Sequence, residues 1–304
     1  MALTGVVRVD RREIEISRAE KVLFPDDGIT KGELIEYYAR IAPRMLPHLK
    51  DRPLTLERYP NGINTKRFFQ KEVSSYFPKW IRTVTVEKVG GTVTHVVCND
   101  TATLVYIANQ ACVTPHIFLS RIDKLEVPDQ LVFDLDPQGD DFDVVRTTAL
   151  DFKQLLDELG LPAFLKTTGS RGLHVVVPLQ RREKYDAVRA FGRDLAGIIV
   201  SRAPGARTME QLKANRGKRV FIDTNRNGYA QLVAPAYAVR ARRGAPVSVP
   251  LDWNELKKKD LRSNSFTIRT IFARLERVPD PWADFWKSGA SLTGARRKLA
   301  RLAS

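Results

Sequence analysis

Cysteine is scarce in this chain of 304 residues: there are two, Cys98 and Cys112. They match no zinc-ligand spacing and build no disulfide framework, which fits a reducing compartment and two small core residues. Long apolar runs are also missing, so no membrane span is expected. The opening Met1-Ala-Leu-Thr-Gly-Val-Val-Arg8 lacks the charged start and apolar segment of a secretory signal, and a cytoplasmic protein is the expectation. Internal repeats, low-complexity tracts and linkers rich in Gly, Ser or Pro are absent too. The missing linker predicts one compact α/β unit with an N-terminal α/β module. Acid is the last shortage, with 35 Asp plus Glu against 50 Lys plus Arg, a net charge of +15 and a pI near 9.9.

That imbalance favours a polyanionic partner, nucleic acid above all. It is uneven along the chain. Residues 201–219 carry six basic side chains (Arg202, Arg207, Lys213, Arg216, Lys218 and Arg219) against Glu210 alone, and residues 255–304 carry twelve against five.

Local patterns place the elements. Thr30 and Glu33 form a capping box ahead of a helix over 31–42, with apolar residues at 34, 35, 38, 41 and 42. A strand is predicted over 52–59, and a hairpin over 84–89 and 93–98 turns at Gly90-Gly91. A buried helix over 102–112 follows. Positions 143–159 repeat as a helix stopped by Gly160. A strand over 173–179, helices over about 183–202 and 207–214, and a strand over 219–223 complete the reading.

The stretch Leu131-Val-Phe-Asp-Leu-Asp-Pro137 carries the chemistry. Side chains two apart on a strand share a face, so Asp134 and Asp136 stand together with Leu131, Phe133 and Leu135 turned away. Like charges that close raise each other's pKa unless a cation relieves them, and a divalent ion held by oxygen does so economically. Asp223 ends a third strand. Three carboxylates at strand ends are what two-metal phosphoryl or nucleotidyl transfer requires. A calcium loop through Asp136, Asp140, Asp141 and Asp143 lacks the required Gly and Glu. An aspartyl phosphatase calls for Thr or Ser where Gln138 stands.

Between these strands lies Lys166-Thr-Thr-Gly-Ser-Arg-Gly-Leu-His174. Its glycines can turn amides toward an anion, Thr168 and Ser170 offer hydroxyls, and Arg171 offers a charged fork, as in a triphosphate cradle. It is not a Walker A loop, which ends in Gly-Lys-Ser/Thr. His174 lies on the opposite face of its strand from Leu173, Val175 and Val177.

Five ordered blocks, LVFDLDP, TTGSRGLHVVVPL, RPLTLERYPNG…RFFQK, RVFID and VRARRGAPVSVPL, together resemble the polymerase domain of bacterial ligase D. That domain is a primase-polymerase of the archaeo-eukaryotic primase superfamily, used in end joining and gap filling. The resemblance runs from about residue 13 to 286. It implies a primase-like catalytic core with a central sheet flanked by helices, within a single domain over 1–304. About 1–110 would be the N-terminal and DNA-contacting part, 111–290 the core and 291–304 a basic tail.

The resemblance also implies roles. Asp134, Asp136 and Asp223 would hold two divalent cations, manganese or magnesium. His116 would sit near the sugar and phosphates of the incoming nucleotide. Thr168, Ser170, Arg171 and His174 would bind the triphosphate, with Arg58 and Arg240 in the same pocket. Phe68 and Phe69 would stack on the template, beside Lys71 as a DNA contact. Lys21 and Lys31 would bind a downstream 5′-phosphate, and Arg216 would help seat the primer terminus. The chain departs from the family with Arg18 where Asn is usual and Arg171 where Lys is frequent. The hairpin tip at Lys88–Gly91 is short for the loop that pairs two broken ends.

The resulting expectation is a template-directed polymerase that extends a primer across a short gap or at an end, favouring ribonucleotides. Its partners would be gapped or broken DNA with a 5′-phosphate, nucleoside triphosphates, and Ku and a DNA ligase. It would associate with the bacterial nucleoid and not with membranes. A non-catalytic DNA-end or gap-binding module is the alternative from another class, and a metal-dependent phosphatase or nuclease is the third.

Overall fold

Two compact units divide the chain, and they are not consecutive halves. One contains Met1–Asp123, Leu232–Ser248 and Phe266–Arg274; the other contains Lys124–Gln231, Val249–Ser265 and Leu275–Ser304. The first of these segments ends at Asp123, and the chain later returns twice to the first unit. The computed structural model describes residues 5–139 and 141–302. The first four residues of the N-terminal stretch, Asp140 of the rejected calcium loop and the last two residues of the basic tail lie outside them.

The first unit starts with β1 (Gly5–Val9) and β2 (Arg12–Ile16), then β3 (Val22–Phe24) and β4 (Ile29–Thr30). The predicted capping box starts α1 (Lys31–Leu49): Thr30 accepts from the Glu33 amide, and Glu33 accepts from that of Thr30. The helix runs past Pro43 and Pro47, because Ile41, Ala42, Met45 and Leu49 keep its inner face buried. Next come β5 (Pro53–Arg58), β6 (Phe68–Gln70), the hairpin β7 (Thr83–Lys88) and β8 (Gly91–Val97), α2 (Thr101–Asn109) and β9 (Cys112–Ile117). β5 is the hub, pairing antiparallel with β6, β8 and β9. The returning segments are held by hydrogen bonds from Tyr37 Oη to the Tyr237 carbonyl (2.7 Å) and from Arg269 to Glu33 (2.8 Å).

The second unit has β10 (Gln130–Asp136), α3 (Phe142–Leu159), β11 (Phe164–Thr167), β12 (Leu173–Pro178), α4 (Tyr185–Ser201), β13 (Arg207–Thr208), β14 (Val220–Asp223) and β15 (Pro250–Leu251). They form one sheet of six strands in the order β13-β14-β10-β12-β11-β15. Gly160 ends α3 at φ 73°, as its position predicts. Residues 207–214 are not a helix but a short strand, β13, with one 3-10 turn at Lys213–Asn215. The C-terminal segment is a helix, Leu292–Leu302, and Lys298 reaches the Glu158 carbonyl at the end of α3. Both cysteines are buried and free. No helix among the described residues is long and apolar enough to cross a membrane.

Candidate active site

Four strands of the second unit each contribute one polar side chain to a single cross-strand row. Lys166 stands opposite His174, His174 opposite Asp134, and Asp134 opposite Asp223. Asp136, two residues on, shares that face and stands opposite Phe221. The other face of β10 is apolar: Leu131, Phe133 and Leu135 are buried, and the Phe133 and Phe152 rings lie 4.3 Å apart. Two devices hold the register. Asn227, four residues past Asp223, grips both backbone groups of Val132, each at 2.7 Å. Gly172 lets β12 come so close that a Cβ there would lie 1.8 Å from the Leu135 carbonyl oxygen.

Basic side chains of the chain hold the carboxylates. His174 Nε2 lies 3.3 Å from one Asp134 oxygen, and Arg226 Nε lies 3.4 Å from the other and 3.5 Å from Asp223. Arg171 contacts both oxygens of Asp136 at 3.0 Å. Burial works against the ionised form of Asp134, yet His174, Arg226 and Lys166 hold its pKa well below the usual carboxylate range. Burial raises Asp136 and Asp223, and the charge of Asp134 raises both further against the arginines. His174 is depressed to about 4, by burial first and then by Lys166, so at neutral pH it is an uncharged donor to Asp134. Its Nδ1 is buried with no hydrogen-bond partner.

No group of three or more acidic, His or Cys side chains among the described residues is already closed around a metal position. The donor set nevertheless fits a divalent cation in its chemistry. It offers hard oxygen ligands on adjacent strands, two of them with raised pKa values that a cation would relieve. Arg171 and Arg226, about half-exposed, are side chains able to swing away.

The glycine loop is more closed than its composition suggests. Thr168 is buried, and its hydroxyl accepts from the amides of Ser170 and Gly172, both at 3.2 Å. Those amides and that hydroxyl therefore bind within the loop itself. Arg171 is exposed but lies on Asp136, and Ser170 is half-buried. Arg216 sits 3.5 Å over the Phe221 ring and donates to the carbonyls of Glu210 and Gln211, so it braces its own loop.

The first unit holds the remaining expected residues. His116 Nε2 meets Glu57 at 2.9 Å, and Glu57 also accepts from Tyr59 (2.9 Å) and Arg67 (3.0 Å). Burial would raise Glu57, but His116 outweighs it and, with Tyr59, brings its pKa to about 2. Arg58 and Arg240 each line a cavity of the first unit. Successive strand residues point to opposite faces, and β5 has an irregularity between Glu57 and Arg58. Arg240 joins Glu57, Tyr59 and Arg67 around a cavity of about 360 Å³, whereas Arg58 lines a groove of about 530 Å³ with Phe68, Phe69 and Lys71. Both phenylalanines are 43% exposed; Arg58 lies over Phe68 and Arg67 over Phe69.

Lys31 is held from within the first unit. Its ammonium is buried and uses its three protons on Ser17 Oγ, the Asn109 carbonyl and Asn109 Oδ1, at 3.0–3.1 Å. Burial, with Arg18 nearby, lowers its pKa to about 8. Lys21 remains half-buried and bonds Asn61 Oδ1. Arg18 takes the left-handed conformation at φ 48°, a region that Asn tolerates better than Arg.

Sequence reasoning assigned no role to Lys166, Arg226 or Glu57. Lys166 could have been found by continuing the alternation of Thr168 and His174 back across the loop. Glu57 is a carboxylate inside an otherwise apolar strand. Arg226 carries no sequence signal apart from its three-residue distance from Asp223.

The class is nucleotidyltransferase, a mixed α/β enzyme. Residues 30–282 match the family described as the primase-polymerase domain of LigD, and the chain belongs to that family. It is 33% identical, over 99% of its length, to the multifunctional non-homologous end joining protein LigD of Pseudomonas aeruginosa, and covers 36% of that protein. It is 29% identical, over 91%, to the bifunctional LigD of Bacillus subtilis, covering 44% of it. The chain thus spans less than half the length of these relatives. The polymerase domain of Mycobacterium tuberculosis ligase D, in complex with DNA, has the same fold: TM-score 0.85 at 28% identity, covering 91% of this chain and 99% of that one.

Proposed function

We propose that this chain is a template-directed polymerase that extends a primer across a short gap or at a broken end, favouring ribonucleotides, in bacterial end joining or excision repair. The observation that carries the reading is the cross-strand register that sets Asp134 against Asp223, with Asp136 on the same face. These three would hold two divalent ions, manganese or magnesium, which supply Lewis acidity for an oxygen nucleophile and charge neutralisation for phosphates. The rest falls to the chain itself. Uncharged His174 orients Asp134 and keeps it ionised, while Lys166 places a positive charge behind the same row. Arg171 and Arg226, on leaving the carboxylates, become free guanidinium forks for phosphate oxygens. Gapped DNA bearing a 5′-phosphate binds the basic surface, with Lys21 and Lys31 as the phosphate contacts. Ku and a DNA ligase are the partners in end joining, and the nucleoid is the place of work.

Primer extension over gaps of one to about three nucleotides, with ribo- and deoxyribonucleotides and added manganese, tests this. Asp136→Ala should abolish extension and leave DNA binding intact, because binding rests on basic side chains and the substitution removes negative charge. Synthesis at the wild-type rate in that variant contradicts the reading. A DNA-end-binding module is the second reading, favoured by Arg171 and Arg226 lying on the carboxylates. It predicts wild-type binding with no incorporation.

A further inference from the structure

Exposed aromatic rings gather in one groove of the first unit. Phe68 and Phe69 are each 43% exposed and Tyr76 is 58% exposed, and all three line the cavity of about 530 Å³. Tyr76 is exposed but held in place. Its ring packs at 5.2 Å against buried Phe77, which itself packs edge-on to Tyr106 at 5.1 Å. Its hydroxyl accepts from Arg58, 3.0 Å away. The same guanidinium lies 5.1 Å over the Phe68 ring and donates to Gln70 Oε1 at 2.6 Å. Gln70 in turn donates to Ser74 Oγ at 2.8 Å, tying down the turn that leads to Tyr76. Arg58 therefore braces two partly exposed rings, Phe68 and Tyr76.

The rim is basic. Lys71 and Lys88 are exposed on it, and Glu72, also exposed, accepts from the Thr94 amide at 3.0 Å. Braced, partly exposed rings beside exposed lysines suit one ligand chemistry: a single nucleic-acid strand, whose bases stack while its phosphates meet lysines.

We propose that this groove is a single-strand track in which Tyr76 is a second stacking platform, holding an unpaired base beyond the one held by the Phe68–Phe69 edge. This deepens the polymerase reading by giving the template strand a seat on the first unit, and it rests on that reading for the strand's identity. The platform depends on the ring, and the hydroxyl serves only to orient it.

Fluorescence anisotropy tests the track, with labelled oligothymidine of about a dozen nucleotides and duplexes with gaps of one and about six nucleotides. Chelator is present and nucleotide is absent, so the result does not depend on catalysis. Tyr76→Ala should weaken binding roughly tenfold to the oligothymidine and the long gap, and leave the one-nucleotide gap unchanged. Tyr76→Phe should bind within about twofold of wild type, because a ring remains to stack. A thermal melt confirms folding. Wild-type affinity of Tyr76→Ala for every ligand overturns the proposal, as does a Tyr76→Phe as weak as Tyr76→Ala. Primer extension by the wild-type chain is scored separately. Its failure would remove the polymerase reading and leave the stacking result standing.

Discussion

Glu57 and His116 meet inside a β-sheet, where an ionised carboxylate survives only in company. Its pKa of about 2 lies below its ordinary 4.5, so the pair stabilises the fold fully above about 4.5 and loses that contribution as pH falls through about 2. Glu57→Gln should cost on the order of 2–3 kcal/mol at neutral pH. It should also remove that part of the acid sensitivity seen in urea unfolding at pH 7 and pH 3. Parallel stability curves for variant and wild type would contradict the assignment. Lys31 makes the same point with opposite charge. It tethers the start of α1 to Ser17 and Asn109, so Lys31→Met should cost roughly 1–3 kcal/mol by leaving those acceptors unmet. Lys21→Ala should leave stability alone and reduce the preference for a gap with a 5′-phosphate. A Lys31→Met that melts like wild type would contradict the tether.

Between strands, a single glycine decides whether the acidic row exists. Gly172→Ala places a methyl 1.8 Å from the Leu135 carbonyl oxygen, and backbone cannot yield as a side chain can. The expected loss is roughly 3–5 kcal/mol or failure to fold, read by chemical denaturation; a loss under about 1 kcal/mol would mean that β10 and β12 separate easily. Elements with local punctuation were legible from the chain alone: α1 from its capping box, α3 from Gly160, the hairpin from Gly90-Gly91, and β10 and β14 from apolar runs ending in aspartate. β9 was not. All six of its residues are buried, which erases alternation, and it contains Pro115, normally a mark against a strand. The proline is tolerated because the ladder of β9 among the described strands is with β5, and its further pairing is a single bridge at Ile117 with Val233, away from Pro115. β13 was missed because two residues beside a parallel neighbour have no period to read.

For the molecule as a whole, net charge overstates the basic surface. Arg207, counted in the basic run 201–219, is buried against Thr148, Asp151 and the Ile199 carbonyl, and Arg219 donates to carbonyls of its own loop. Composition could not separate these from free cations, since partners distant in sequence decide the matter. The same holds for the candidate site: Asp134 and Asp136 were legible as a pair on one strand, whereas the contact with Asp223 required the sheet order. Arg226 could be placed only once that order was known. Manganese binding followed by electron paramagnetic resonance in the intact chain tests that long-range meeting most directly. Wild type should bind the ion and Asp223→Asn should bind it at least tenfold more weakly; equal binding by both, or none by wild type, would contradict the account.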